Sequence, residues 1–371
     1  SDGYTQRKAN LGDDLEEGCQ TVFGESSGVP LWVSYVTSGA ILTTGTLSML
    51  GSLFIVLSYL LFKSDRTQFY RTVVFLSIAD FGGALFYLLG VLNVLEYPSA
   101  YWQTFICRWQ AALLTFFEVA SFLWTGTLAV TIFQIAKNVP VEDIRKQEIW
   151  WHCFCWGYAT FVTLGAALDE EYGPAGSVWC WIDNPRSFWR VVAYYGVALI
   201  VIVGNFCLYF IVLLMLRYQV SKGKLAPQLA GVEGETEVRM MWRITRRLML
   251  YPLVFILSQS IALVNRYQNA LCPSHPIIIL YLLQACTQPT QGFFNACVYA
   301  LNSNAIKNYY LAIVSGITSL RAKLGKDRPE VGLGESLIPY DERGIGPSDF
   351  DSKDTLYDPL YDQADGWSQE R

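Results

Sequence analysis

The sequence predicts an all-α membrane protein: a seven-transmembrane helix bundle with its N-terminus outside, a short amphipathic eighth helix and a disordered cytoplasmic tail. Three observations carry that expectation. Of the 371 residues, 52% are hydrophobic and only 16% are charged, against about 25% charged in an ordinary soluble domain. Seven apolar runs, at about 31–62, 69–95, 104–137, 148–168, 187–217, 242–265 and 276–301, are each long enough to cross a ~30 Å hydrocarbon layer as a helix. Lysine and arginine gather in alternate connections, as the positive-inside tendency requires.

In chain order, residues 1–30 are polar and acidic, hold Cys19 and are too few to bury a core; they are expected to be an extracellular segment. No charged, short apolar leader precedes the first run, which is expected to serve as the targeting signal. Residues 31–319 form the seven-helix domain with its amphipathic helix. Spanning strands would be about half as long as these runs and would alternate apolar with polar residues. The connections Lys63 to Arg71, Lys137 to Lys146, Arg217 to Arg247 and Lys307 to Lys323 hold most of the basic residues. The other side has Arg7, Lys8, Arg108, Arg186, Arg190 and Arg266. That asymmetry predicts a multi-pass plasma-membrane protein with its C-terminus in the cytoplasm. Asn302 to Val314 starts polar, continues amphipathic and is expected to lie along the inner membrane surface. Residues 320–371, rich in Gly, Pro, Asp and Ser, read as a disordered acidic tail. Tyr357-Asp-Pro-Leu360 is a weak sorting pattern within it. A net charge of −5 gives no support for a nucleic-acid partner.

The third run carries the most information. Cys107 opens it, Lys137 closes it, and Glu118 lies roughly 16 Å below Cys107 at helical rise. An ionisable group at that depth marks a functional site by default. Thr115, Glu118, Ser121 and Thr125 share one helix face. Asp80 lies at similar depth in the second run. Two readings stand for it: a hydrogen-bond node with partners such as Asn295, or a conformational switch. Cys107 and Cys180 fall on the oxidising outer side, where a bridge is expected in preference to two free thiols. A second bridge, between Cys19 and Cys272, is an even alternative. Cys153, Cys155, Cys207, Cys286 and Cys297 lie in apolar runs and are expected to be small buried hydrophobes. His152-Cys153-Phe154-Cys155 lacks a second ligand pair, so neither a metal nor a cofactor is expected.

Asn265 and Arg266 close the sixth run at its outer mouth. Arg266 is either a snorkelling charge or a contact for an anionic ligand. Trp179 and Trp181 flank Cys180 as an aromatic lid or as interfacial anchors. On the inner side Arg239, Arg243, Arg246 and Arg247 recur at helical steps as a basic face, suited to positive-inside bias or to an acidic or helical partner. Pro252 frees a backbone carbonyl and offers a pivot for that face.

Several ordered strings carry a family resemblance: Val119-Ala-Ser-Phe-Leu-Trp-Thr125 with Trp124 seventeen residues after Cys107, then Trp179-Cys-Trp-Ile182, Tyr251-Pro252-Leu253, Val264-Asn-Arg266, and Phe294-Asn295 leading to Tyr299-Ala-Leu-Asn302. From about Gly39 to Tyr310 the chain resembles the cyclic-AMP-receptor-like seven-helix receptors of slime moulds, plants and other eukaryotes, and the plant-type members in particular. Asp80-Phe81 matches an acidic position of the family's second helix. The resemblance implies an outer-loop disulfide and coupling to heterotrimeric G proteins. It implies cyclic AMP as ligand only for the slime-mould branch. The chain lacks Asp-Arg-Tyr at the end of the third run, where Ala136-Lys137-Asn138 stand, and Asn-Pro-x-x-Tyr in the seventh. The microswitches of rhodopsin-like receptors therefore do not transfer.

The expected function is that of a cell-surface receptor, not an enzyme, passing an extracellular small-molecule signal to a heterotrimeric G protein across the lipid bilayer. Glu118, Trp124, Trp181, Asn265 and Arg266 form the expected ligand set; Asp80, Asn295 and Pro252 the switch; Lys137, Arg239, Arg243, Arg246 and Arg247 the coupling surface. The alternative is a transporter or channel using Glu118 and Asp80 as an ion or proton relay. The lack of an internal repeat argues against the usual transporter designs. A retinal-based pump is less expected still, since the seventh run has no lysine.

Overall fold

In the computed structural model the described residues are 30–62, 66–96, 100–137, 139–174, 179–183, 187–225, 248–303, 306–311 and 313–315. They form seven helical rods and one short hairpin. The rods are α1 (Leu31–Leu61), α2 (Gln68–Glu96), α3 (Ala100–Ala136) and α4 (Val141–Leu168); α5, made of Phe188–Arg190, a π-turn Val191–Tyr195 and Gly196–Leu225; α6 (Leu250–Leu271); and α7, made of Ile278–Thr287, a 3-10 turn Gln288–Thr290 and Gln291–Asn302. Segments of α1, α2, α3 and α5 are long and apolar enough to cross a membrane: Leu31–Leu61, Gln68–Leu92, Phe105–Ala136 and Phe188–Met215. Leucines and aromatics stand exposed on the rods' outer faces, among them Leu50, Leu60, Trp150, Phe161, Ile200 and Phe206. That surface is one a hydrocarbon solvent covers.

α3 is the central rod, touching α2, α4, α5, α6 and both strands. Ala111, Leu114, Val119, Ala120, Phe122 and Leu128 are buried along it. α1 meets α7 through small residues. Gly45, Ser48, Gly51 and Ser52 are buried at helical steps on α1, and the Gly292 N–H donates to Ser48 Oγ at 3.0 Å. A Cβ on Gly292 would collide with the Ser48 and Ser52 hydroxyls and stand 2.9 Å from the Ser48 carbonyl. Lipid supplies no hydrophobic drive between helices, so close backbone approach of this kind holds them together. At the opposite end of the bundle from the hairpin, Arg71 Nε lies 2.8 Å from Glu148 and Gln68 donates to the same carboxylate at 3.2 Å, joining α2 to α4.

Several expectations need correction. α4 starts at Val141, seven residues before its apolar run, because Pro140 sets the entry and Glu142 and Asp143 suit the positive first turn. α5 continues to Leu225 and carries a π-turn that its apolar pattern does not announce. α7 is not continuous: Pro289 has no N–H to return to the preceding turn, and the rod tightens to 3-10 geometry there. In α6 a turn at Met249 separates Leu248 from the helix beginning at Leu250. The Leu248 carbonyl is the one Pro252 leaves without an i−4 partner. Among the five free cysteines only Cys155 is buried. Cys153, Cys207, Cys286 and Cys297 sit on outward faces, where the apolar surroundings are lipid instead of protein.

The hairpin was not expected. β1 (Tyr172–Pro174) and β2 (Cys180–Ile182) pair antiparallel, with Tyr172 opposite Ile182 and Gly173 opposite Trp181. Residues 306–311 and 313–315 belong to a second unit of the chain. They are helical and expose Ile306, Tyr310, Leu311 and Ile313. The expectations for residues 1–29, including Cys19, for Arg239, Arg243, Arg246 and Arg247, and for the tail 320–371 lie outside the described residues.

Gly292→Val is expected to lower stability by about 1–3 kcal/mol through overpacking, measured as thermal unfolding in detergent. Gly204→Val, at a position with nothing within 4 Å of the added carbon, is expected to change it little.

Candidate functional site

The hairpin is fastened over one end of the bundle by three devices. The Cys107–Cys180 disulfide, with Cα atoms 5.4 Å apart, ties β2 to α3. Gln110 accepts from the Cys180 N–H at 3.1 Å and donates to the Phe86 carbonyl of α2 at 3.0 Å. Arg190, almost fully buried at the head of α5, donates to the Ile182 carbonyl from Nε at 2.9 Å and from Nη2 at 2.7 Å. It also reaches the Asp183 carbonyl at 3.0 Å and Asn269 Oδ1 of α6 at 3.0 Å. A planar guanidinium satisfies that many acceptors at once; an ammonium does not. On β1, Tyr172 donates to the Thr163 carbonyl at 3.4 Å, and burial pushes its hydroxyl up to about 12 despite hydrogen bonds with Thr115 and Thr163.

Beneath the hairpin lies a cationic, aromatic cluster. The Arg266 guanidinium is 4.5 Å from the Trp181 ring and 5.3 Å from that of Trp179. The Arg190 guanidinium stands 5.0 Å from the Trp181 ring as a second cation. Trp179 stacks on Tyr281 of α7 at 5.1 Å, and Trp181 meets Tyr194 edge-on at 5.7 Å. Arg266 is only 5% exposed, and among the described residues no carboxylate is within 4.0 Å of it. A buried cation without a partner is costly. Here ring quadrupoles supply part of the missing stabilisation.

From this cluster two polar chains run into the core. In the first, Asn265 donates to Gln284 at 2.6 Å, Gln284 donates to Gln288 at 2.6 Å, and Gln288 donates to Glu118 Oε1. Tyr87 of α2 donates to the same oxygen at 2.6 Å. With its amide turned over, Gln284 presents its oxygen to Arg266 Nε and Nη2 at 3.2 Å. In the second, Tyr194 donates to Gln259 at 3.1 Å and Gln259 to Gln291 at 3.0 Å. Gln291 then donates to Ser121 Oγ at 2.9 Å and Asp80 Oδ1 at 3.2 Å. Ser121 donates to Asp80 Oδ1 at 2.6 Å, and Asn295 to Oδ2 at 2.8 Å. Between the two carboxylates lies a cavity of about 30 Å³ lined by Asp80, Tyr87, Glu118, Ser121, Gln288 and Gln291. It has the volume of about one water molecule.

The expected site residues divide accordingly. Trp181, Asn265 and Arg266 come together, with Glu118 one relay below. Asp80 and Asn295 are bonded to each other. Trp124 is elsewhere: fully buried on the α4 side, it packs on Phe75 at 5.0 Å, His152 at 4.9 Å and Trp156 at 6.1 Å. Six residues past Glu118, it is turned about 240° around the helix. Lys137 is exposed, its Nζ 4.6 Å from the Phe133 ring. Cys272 is disulfide-bonded, while its expected partner Cys19 lies outside the described residues. Sequence reasoning missed Tyr87, Arg190, Tyr194, Gln259, Gln284, Gln288 and Gln291. Their signal was in part legible: Gln284, Gln288, Gln291 and Asn295 recur at four-, three- and four-residue steps, a polar stripe down an apolar run.

Residues 34–325 match the family described as slime mold cyclic AMP receptor. Cyclic AMP receptor-like protein A of Dictyostelium discoideum is 27% identical over 314 residues, covering 84% of this chain and 77% of that protein. G-protein coupled receptor 1 of Arabidopsis thaliana is 30% identical over 276 residues, covering 73% of this chain and 78% of the relative. G-protein coupled receptor 157 of Homo sapiens is 27% identical over 288 residues. The crystal structure of squid rhodopsin superposes with a TM-score of 0.61 at 15% identity, covering 79% of this chain and 89% of that one; this likeness shows a shared seven-helix fold.

Cys107→Ser and Cys180→Ser are each expected to lower stability by about 2–5 kcal/mol, with the double variant no worse than either. Thermal unfolding of the three proteins checks the cycle, and additive losses would mean that the two sulfurs act separately.

Proposed function

Because the chain belongs to the slime mold cyclic AMP receptor family, and is thereby a membrane receptor of the G-protein-coupled type, we propose that it binds an anionic small molecule outside the cell and activates a heterotrimeric G protein inside. The observation that carries this reading is Arg266: a buried guanidinium, lidded by Trp179 and Trp181, that forms no ion pair within 4.0 Å among the described residues. A phosphate or carboxylate is what such a group lacks. The relative's printed name makes cyclic AMP, a cyclic phosphate, the first probe.

In this reading the hairpin end and residues 1–30 are on the extracellular side, and the chain after the seventh rod is cytoplasmic. An anion at Arg266 competes with Trp181 and with the turned amide of Gln284. Displaced from Arg266, Gln284 turns its amide back to donate to Gln288, and so alters the bonds that hold Glu118 to α2 and α7. Moving Trp181 shifts Tyr194, whose hydroxyl heads the chain through Gln259 and Gln291 to Asp80. Both chains converge on α7 beside its 3-10 turn, the segment least constrained by regular helix bonds. A rearrangement there, with α6 turning at Pro252, opens the inner end, where Lys137, Arg239, Arg243, Arg246 and Arg247 meet an acidic or helical partner segment. The ligand need favour the open state by only about 1–3 kcal/mol for a useful response.

The test is nucleotide exchange on a purified heterotrimeric G protein by the receptor in lipid nanodiscs, with cyclic AMP and then other anionic metabolites titrated. Arg266→Gln is expected to raise the half-maximal concentration about 10- to 100-fold while leaving basal exchange intact; unchanged potency would remove Arg266 from the ligand site. Arg243→Glu with Arg246→Glu is expected to reduce exchange at saturating ligand without shifting that concentration. Ion flux without any exchange would favour the transporter reading, with Glu118 and Asp80 as its relay.

A further inference from the structure

Away from the cluster under the hairpin, the outward faces of α3 and α4 enclose a groove of about 400 Å³. It exists because Ala112 and Ala167 stand where larger side chains would close the gap, while Trp109, Phe116, Leu164 and Tyr172 form its apolar walls and end. Trp109 and Leu164 are each 57% exposed, so the groove opens to whatever surrounds the bundle. The α3 wall belongs to a segment, Phe105–Ala136, long and apolar enough to cross a membrane, so in a membrane-embedded bundle that surrounding is lipid. Along α3 the groove runs from Arg108 to Phe116, about 12 Å at helical rise.

Its charged residues sit at one end only. Arg108 follows the disulfide-bonded Cys107, and Glu170 lies two residues before β1. Both are exposed, and among the described residues neither makes an ion pair. Glu170 takes φ 54°, the left-handed cap position where glycine is favoured. A side chain kept in that conformation at a cost of order 1 kcal/mol invites a functional reading. Among the residues lining the groove, Glu170 is the one carboxylate and Arg108 the one cation; the neighbouring Asp169 is engaged by the Trp189 indole N–H at 2.7 Å.

We propose that this groove is a binding site for a zwitterionic phospholipid of the leaflet on the hairpin side, its phosphate on Arg108, its ammonium on Glu170 and one acyl chain against Ala112, Phe116 and Leu164. The charge pattern selects the class. A single guanidinium suits a phosphate, while the Glu170 carboxylate at the same end repels a headgroup of net negative charge and attracts one that ends in a cation. A sterol would use neither charge. Because Tyr172 belongs to the hairpin that carries Trp181, an occupied groove also braces the lid. The proposal rests on the membrane-embedded bundle and not on G-protein coupling, so either can fail without the other.

The test is native mass spectrometry of the full chain in neutral detergent, offered equimolar phosphatidylethanolamine, phosphatidylglycerol and cholesterol. One phosphatidylethanolamine is expected to be retained in preference to the others. Arg108→Gln and Glu170→Gln should each reduce that adduct about three- to tenfold, and Ala167→Phe, which fills the groove, should abolish it. Phosphatidylglycerol bound as well as phosphatidylethanolamine, cholesterol displacing it, or retention unchanged in the two charge variants would overturn the proposal. Should Ala167→Phe not fold, the two charge variants, both at exposed positions, decide the matter.

Discussion

Every polar group in a lipid-embedded bundle must find its partner within the protein, and the Asp80 carboxylate is where this constraint acts most severely. Three side chains from α3 and α7 meet it: Ser121, Gln291 and Asn295. Individual hydrogen bonds between membrane helices are worth little, on average about 0.6 kcal/mol. An unsatisfied carboxylate at that depth costs far more. The node therefore acts less as glue than as a rule about arrangement: α2, α3 and α7 are compatible with one another only where these donors face that acceptor.

The hairpin end obeys the same logic with different chemistry. Arg190 is buried and spends its donors on the carbonyls of Ile182 and Asp183 and on Asn269, fixing the lid to α5 and α6. Arg266 is buried beside it but is met mainly by aromatic faces. Two guanidinium groups thus flank Trp181, one occupied structurally and one held by weaker contacts. That inequality is the physical reason for assigning Arg266, and not Arg190, to an incoming anion. Glu118, the buried carboxylate close enough to interact electrostatically with Arg266, is itself held by Tyr87 and Gln288. The charge balance of the cluster is therefore linked to α7 through amides that have two useful orientations.

The outer surface of the bundle serves a separate purpose. Most of it is the undifferentiated apolar skin expected in lipid, but the α3–α4 groove combines small residues, aromatic walls and opposite charges at one end. Its contact with Tyr172 places a lipid-facing feature against the strand that pairs with the lid. On the two proposals, ligand chemistry from one side and bilayer chemistry from the other would reach the same hairpin.

The sequence by itself determined the seven helical rods and made the bridge between Cys107 and Cys180 the expected pairing, because helix length and redox compartment are local or compositional properties. It also offered Asn295 as a partner for Asp80 in one of the two readings of that carboxylate, and the two are hydrogen-bonded. Trp124 stands apart from Trp181, Asn265 and Arg266 because a single residue's depth says nothing of its azimuth: about 240° of helical rotation from Glu118 carries it to the packing with Trp156. The roles of Arg190, Gln259 and Tyr194, the hairpin, and the 3-10 turn of α7 were decided only by the tertiary structure. Whether a buried polar side chain is a structural tie or a vacant binding group depends on which acceptors lie within about 3 Å of it, and those acceptors come from rods far apart in the chain.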